Sequence, residues 1–183
     1  MVMSETNITA QSTMREVLEA CPAAQRALFR KYHIGGCSSC GFQPEETLEE
    51  VCRRNNDLNV DEVLGHIRTS HAQDEQLLIS PRELAQRRLE NAPLKLLDIR
   101  SRDEFEAVRI EGSVLMSQAT MQEILAHWRP ADLLVIIDHQ GRSGLDAAAY
   151  FQGHGLQNVR SLRGGIDAWA QEMEPQLRRY RLG

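Results

Sequence analysis

Short apolar, strand-like runs alternate with helix-forming segments across residues 77–172, and this alternation constrains the fold more than any other feature of the chain. The runs lie at residues 77–79, 94–99, 133–137 and 159–162. Strands separated by helices predict a mostly parallel sheet that is flanked by helices on both faces. We therefore predict an α/β domain over residues 77–183.

The apolar run at residues 133–137 leads directly into a polar loop that contains glycine. The loop residues are Asp138, His139, Gln140, Gly141, Arg142, Ser143 and Gly144. Ligands of open parallel sheets bind at the carboxyl ends of the strands, and a strand–loop–helix turn gathers backbone N–H groups that can hold an anion. A nucleophile often occupies the first loop position, where this chain has Asp138. The pattern predicts a site in this loop.

Helix-start motifs dominate the first part of the chain. Thr13-Met-Arg-Glu16 and Thr47-Leu-Glu-Glu50 fit the capping box, and Asn59-Val-Asp-Glu62 is an asparagine variant of it. Cys21-Pro22 predicts another helix start, with proline at the first helical position. Apolar residues recur at helical spacing after each motif, which predicts a small all-α domain of four helices over residues 1–69. The polar, aperiodic residues 70–76 predict a linker.

All four cysteines lie within the first 52 residues. Cys37 and Cys40 form a C-x-x-C turn, a spacing that suits a reducible disulfide or chelation of one metal ion. Cys52 falls on the apolar face of its helix, which favours a buried thiol, and Cys21 is expected to be incidental. A metal site of Cys37, Cys40 and Cys52, with His33 as a weaker fourth ligand, is the alternative, and its cofactor would be iron, zinc or an iron–sulfur species.

Charge and hydropathy exclude several classes of function. The net charge of −5 argues against nucleic acid as a main partner. No apolar run approaches the roughly 20 residues that span a bilayer, so we expect no membrane association. The first residues lack the basic start and apolar core of a signal peptide, which predicts a cytoplasmic protein. Oligomeric state is left open.

The motifs of the first domain occur in a recognisable order. They are T-M-x-E-V-L, C-P-A-A, F-x-x-x-x-I-G-G-C-x-x-C from Phe29 to Cys40, E-T-L-E-E-V-C and V-D-E-V-L. In this order, residues 8–68 resemble the redox-disulfide domain that is associated with hybrid cluster proteins. The resemblance implies a role near thiol redox or iron–sulfur chemistry that Cys37 and Cys40 carry.

Several motifs of the second domain also fit one family. Leu97-Asp-Ile-Arg100 reads as L-D-x-R, and the segment from Glu104 to Ser113 reads as E-F-x-x-G-H-I-x-G-A/S, with Val108 and Arg109 replacing the usual Gly and His. Leu162-Arg-Gly-Gly-Ile-Asp-Ala-Trp169 matches the closing motif. Residues 77–172 thus resemble the rhodanese family, which implies a rhodanese-like α/β fold.

The resemblance also implies that the loop lacks the cysteine of the family. The family's active loop reads C-x-x-G-x-R-S, and its cysteine carries sulfur as a persulfide. An ungapped alignment places Asp138 at that cysteine, whereas a one-residue gap places Ile137 there and aligns Arg142 with the family's arginine. No cysteine is available in either alignment. We expect the Asp138 carboxylate to accept hydrogen bonds from the loop N–H groups and to fill the anion site itself.

The leading hypothesis is redox or sulfur handling through Cys37 and Cys40, with the rhodanese-like fold as a docking or sensing platform. A non-enzymatic module that binds sulfur-transfer or iron–sulfur proteins is the second hypothesis, and metal or cluster handling is the third. For the loop itself, there are two further interpretations. One is a residual binding role that uses Arg142 and His139, and the other is hydrolysis with Asp138 as nucleophile.

Overall fold

The computed structural model describes residues 7–35, 41–90, 92–141 and 143–180. The predicted cysteine pair, Cys37 and Cys40, and the loop residue Arg142 lie outside the described residues. The chain divides into two compact units, Met1–Glu75 and Gln76–Gly183. Along the part that the structure describes, no helix is both long and apolar enough to cross a membrane.

The first unit is helical, as the sequence predicts. Its helices are α1 (Met14–Ala20), α2 (Ala24–Tyr32), α3 (Leu48–Arg54) and α4 (Val60–Gln76). The capping boxes at Thr13 and Thr47 are both formed, each hydroxyl accepting the N–H of the glutamate three residues later. The Asn59 side chain accepts the N–H groups of the first turn of α4.

Three expectations for this unit need correction. Helix α2 begins at Ala24 rather than at Pro22, because a turn that is closed by the Ala24 N–H and the Cys21 carbonyl precedes it. Cys21 is not incidental, since it is fully buried in the hydrophobic core. Residues 70–76 are not an irregular linker but the last turns of α4, where Asp74 forms an ion pair with Arg26.

The second unit contains a five-stranded, wholly parallel sheet with the order β1-β5-β4-β2-β3. The strands are β1 (Leu78–Ile79), β2 (Leu94–Asp98), β3 (Ser113–Leu115), β4 (Leu133–Ile137) and β5 (Val159–Leu162). The helices between and after them are α5 (Pro81–Leu89), α6 (Arg102–Ala107), α7 (Gln118–His127), α8 (Gly144–Gly153) and α9 (Gly165–Glu172).

Side chains of successive residues in the central strand β4 enter two separate cores. Leu134 and Ile136 pack with residues of α7 and α8, whereas Val135 and Ile137 pack with residues of α5 and α9. This alternation follows from the two-residue period of a strand, and it places helices on both faces of the sheet. The predicted α/β architecture is confirmed.

Two local predictions for this unit were incomplete. The edge strand β3 was not anticipated, because it has three residues and no hydrophobic alternation. The sequence Thr120-Met-Gln-Glu123 also predicts a helix start, but α7 begins at Gln118, because the Ser117 hydroxyl accepts the Thr120 N–H and caps the helix three residues earlier. Neither difference moves the carboxyl ends of β2 and β4, which position the candidate site.

Candidate functional site

Asp138 follows the last residue of β4, and its carboxylate is bound by the loop that it begins. One carboxylate oxygen accepts the Gly141 N–H at 2.5 Å, and the other accepts the N–H groups of Ser143 at 2.7 Å and Gly144 at 3.0 Å. The residue is 6% exposed. The expectation that a carboxylate at this position accepts the loop N–H groups is confirmed, and all three donors are already paired.

The first residues of α9 hold this loop in place. The N–H groups of Ile166 and Asp167 donate to the carbonyls of Asp138 and His139, at 2.9 and 3.1 Å. Gly165 has a φ of +59°, and a Cβ there would lie 2.5 Å from the backbone of residues 138 and 139. Gly141 has a φ of +80°, and a Cβ there would lie 2.7 Å from the backbone nitrogen of Gly164. These close approaches require glycine on both sides of the contact.

A buried ion pair lies at the end of the neighbouring strand β2. The Arg100 guanidinium binds the Asp98 carboxylate through Nε at 2.9 Å and Nη2 at 2.7 Å. It also donates to the carbonyl of Val108 and to the hydroxyl of Tyr180. Burial alone would lower the Arg100 pKa, but the hydrogen bonds to Asp98 and Tyr180 raise it, so the guanidinium stays charged.

The C-terminal segment, defined here as Leu177–Tyr180, lies against the loop. The Tyr180 ring stacks on the His139 ring at a centroid distance of 4.4 Å and an interplanar angle of 10°. The His139 Nε2 atom is 3.1 Å from the Tyr180 carbonyl oxygen. The Tyr180 hydroxyl donates to Glu104 at 2.6 Å. Burial and this bond raise the pKa of Tyr180 to about 12.

Sequence reasoning did not anticipate the contribution of Tyr180. It lies 41 residues beyond His139 and belongs to no motif, so no local pattern could indicate the contact. Arg100 and Glu104 belong to motifs that identified the family, but their spacing gave no sign of their shared contact with Tyr180. The long-range fold brings them together.

The loop residues that the sequence singled out have different environments. His139 is buried beneath Tyr180, whereas Gln140 and Ser143 are exposed. Among the described residues, the hydrogen-bond partner of the His139 ring is Tyr180, and no bond joins that ring to the Asp138 carboxylate. This arrangement gives no support to hydrolysis by Asp138 with His139 as its base.

The described candidates of the first unit do not meet in a metal site. Cys52 is 2% exposed within the core, and burial raises the pKa of its thiol, which disfavours the thiolate that binds metals. His33 is exposed at the end of α2, with a φ of 58°. Within the described ranges, no group of three His, Cys, Asp or Glu side chains lies close enough to hold a metal ion.

The chain is similar to curated sulfurtransferases and to a solved rhodanese-like structure. Thiosulfate sulfurtransferase GlpE of Pseudomonas syringae is 35% identical over 77 residues, which cover 40% of this chain and 70% of that protein. The probable adenylyltransferase/sulfurtransferase MoeZ of Mycobacterium tuberculosis is 31% identical over 104 residues, 56% of this chain and 26% of that protein. A crystal structure of a rhodanese-like domain protein from Staphylococcus aureus covers 56% of this chain and 97% of its own, at 23% identity and a TM-score of 0.45.

A family model for the rhodanese-like domain matches residues 80–172, from the residue that caps α5 to the last residue of α9. This range holds the Asp138 loop, the Asp98–Arg100 pair and the glycines that pack against the loop. It is more than half of the chain. The chain therefore belongs to the rhodanese-like domain family.

Proposed function

We propose that the rhodanese-like domain carries no sulfur at residue 138 and acts as a docking or sensing platform, while Cys37 and Cys40 carry the thiol chemistry of the chain. The observation that supports this most directly is the Asp138 carboxylate, which accepts three loop N–H groups. A carboxylate cannot hold a sulfane sulfur, and its charge opposes the entry of an anionic donor.

The placement of the cysteines supports the second half of the proposal. No cysteine follows residue 52, so sulfur chemistry has to use the first unit. Cys21 and Cys52 are buried in its core, and neither can readily act as a nucleophile. The remaining candidates for the thiol chemistry are Cys37 and Cys40. The resemblance of residues 8–68 to a redox-disulfide domain points to the same two residues.

The proposed chemistry is a sulfur transfer followed by disulfide formation. The thiolate of one cysteine attacks a polysulfide, forming a new S–S bond while the polysulfide bond breaks and a shorter polysulfide leaves. The second thiol of the pair then attacks the persulfide, forming the Cys37–Cys40 disulfide and releasing hydrosulfide. We expect partners among sulfur-transfer or iron–sulfur proteins, in the reducing cytoplasm where such a disulfide can be reversed.

Mass spectrometry of the full chain tests this chemistry. The chain is purified without oxygen or reductant, exposed to polysulfide, blocked with an alkylating agent and digested. We expect a persulfide or a disulfide on Cys37 and Cys40. Of the Cys37→Ser and Cys40→Ser variants, the one that lacks the attacking cysteine should form no persulfide, and the one that lacks the second cysteine should retain it. Two thiols that stay unmodified at every polysulfide concentration would refute the redox role. A stoichiometric metal in the untreated protein would instead favour a metal site.

An Asp138→Cys variant tests the platform role. The three loop N–H groups should stabilise a thiolate at this position, so we expect a reactive thiol and a gain of thiosulfate:cyanide sulfurtransferase activity. The unaltered chain should show none of this activity. Turnover by the unaltered chain that is lost in Asp138→Asn would overturn the proposal. An inert thiol in the Cys variant would show that the loop has lost its anion-stabilising geometry.

A non-enzymatic binding module remains the second candidate function, because the C-terminal segment covers His139 at the carboxyl end of the sheet. It predicts that binding to a sulfur-transfer or iron–sulfur partner is unchanged in Cys37→Ser. A redox role predicts that, with the same variant, the partner no longer responds to oxidation or reduction.

A further inference from the structure

The C-terminal segment Leu177–Tyr180 occupies a cleft that its own side chains fill. The cleft is lined by His139 and Asp167 and by the apolar side chains of Val108, Ile166 and Ala170. About 10 Å³ of space remains in it, too little for more than one water molecule. The fit therefore resembles that of a bound peptide.

Arg179 and Tyr180 supply the polar contacts of the segment. The Arg179 guanidinium binds the Asp167 carboxylate in a bidentate manner, at 2.7 and 3.0 Å. The Tyr180 hydroxyl lies between Glu104, to which it donates, and Arg100, from which it accepts. Bidentate pairing and ring stacking are geometrically specific contacts, so this cleft discriminates an arginine–tyrosine pair from other dipeptides.

The segment is held by side-chain contacts, including Leu177 against the apolar core, and not by secondary structure. Residues 174–180 form no helix or strand, and the Arg179 side chain is 52% exposed. The preceding helix α9 ends at Glu172, and one turn, from the Glu174 carbonyl to the Leu177 N–H, connects the two. Local opening of a segment without helix or strand hydrogen bonds costs less free energy than unfolding of the sheet.

We propose that this cleft is a docking site for a protein segment in which arginine precedes tyrosine, and that Arg179 and Tyr180 are its intramolecular ligand. A partner that presents the same pair binds by displacing them and thereby uncovers His139 at the Asp138 loop. This inference deepens the docking role proposed above, and its test does not involve the cysteines, so the two can fail separately.

Competition between the two ligands sets the size of the effect. A segment tethered by a short link has an effective concentration on the order of millimolar. For a free peptide with a Kd of about 100 μM, that concentration weakens apparent binding about tenfold. Disabling the intramolecular ligand should therefore raise the affinity for an added peptide by about that factor.

The probe is a fluorescein-labelled peptide of residues Glu174–Tyr180 with a C-terminal amide, which retains the Tyr180 carbonyl that faces His139. Fluorescence anisotropy measures its binding to the unaltered chain, to R179A/Y180A and to Gln176→Ala. Gln176 is the control, because it is exposed and lies outside both Leu177–Tyr180 and the lining of the cleft. We expect R179A/Y180A to bind the peptide about tenfold more tightly than the other two proteins.

Two further variants keep the test decisive. Adding Asp167→Asn to R179A/Y180A should weaken peptide binding at least fivefold, since the carboxylate that binds arginine is lost. Tyr180→Phe keeps the stacked ring and should raise peptide affinity to an intermediate extent, which provides a readout if the double variant folds poorly. Equal affinity of the unaltered chain and both tail variants, or binding that ignores Asp167→Asn, would overturn the proposal. Dimers of the unaltered chain that R179A/Y180A abolishes would assign the cleft to a second copy instead, and would overturn the proposed partner.

Discussion

Replacing Asp138 with asparagine removes the charge from the loop but keeps the shape of the side chain. The amide oxygen can take the place of the carboxylate oxygen that accepts the N–H groups of Ser143 and Gly144. The amide nitrogen then faces the Gly141 N–H, so two donors oppose each other where the native loop has a 2.5 Å bond. The isosteric change therefore tests the charge and the acceptor pattern without leaving a cavity.

The expected loss of stability follows from these three bonds. Bonds to a charged acceptor contribute about 1.5–3 kcal/mol and bonds to a neutral one about 0.5–1.5 kcal/mol, so each retained bond weakens by about 1 kcal/mol. The unpaired, buried Gly141 N–H adds about 1–3 kcal/mol. These contributions together reach about 3–5 kcal/mol, and relaxation of the loop reduces them. We expect a decrease of at least about 2 kcal/mol in the free energy of unfolding.

Urea unfolding followed by tryptophan fluorescence reports on this unit specifically. Trp128 and Trp169 are the two tryptophans of the chain, and both belong to the second unit. Asp103→Asn is the matched control, because it removes an equal charge from an exposed position in the same unit. An Asp138→Asn variant within about 0.5 kcal/mol of the unaltered chain would refute the claim that the carboxylate stabilises the loop, since surface changes have effects of this size.

Three further predictions concern packing and ionisation. Gly165→Ala should destabilise the second unit by about 1–3 kcal/mol, because the added Cβ clashes with the backbone and φ is positive there. Gly153→Ala is the control and should not destabilise it, since no atom lies near that position. Equal unfolding curves for the two variants would contradict the packing argument. Because the pKa of Tyr180 is raised to about 12, its contribution to stability is complete below pH 10 and is lost between pH 10 and 12. An ultraviolet titration should show a phenol with a raised pKa, and this signal should be absent in Tyr180→Phe. A Tyr180 pKa near the ordinary value would contradict the burial of its hydroxyl. Cys21 and Cys52 should resist iodoacetamide in the native chain and react in urea, and native labelling would show that the first core is open.

Local signals predicted the regular elements well. The capping boxes at Thr13 and Thr47 were both formed, because the hydroxyl and the glutamate that make them are three residues apart. The apolar runs at residues 94–99 and 133–137 became adjacent strands, β2 and β4, as short buried runs between helices require. Interactions within one turn or one strand depend on residues that are close together in the sequence.

The errors arose where a distant contact decided the local structure. The polar residues 70–76 lack hydrophobic periodicity, yet they contain no glycine or proline, and pairing between Arg26 and Asp74 accompanies their continuation of helix α4. The position of Tyr180 depends on His139, Arg100 and Glu104, which come from three different segments. Such contacts exist only after the sheet has formed, so no window of the sequence contains them.

The geometry of the loop supports the proposal that Asp138 occupies the position of the family's cysteine. Three N–H groups converge on one point, and a neutral, short side chain there would leave buried donors without acceptors. A thiolate or a persulfide would also satisfy these donors, and a carboxylate brings the same charge on an equally short stem. Under the proposed function, the Asp138 carboxylate therefore holds the loop conformation without sulfur. A docking surface that depends on this conformation, such as the His139 ring beneath Tyr180, can persist without the transfer reaction.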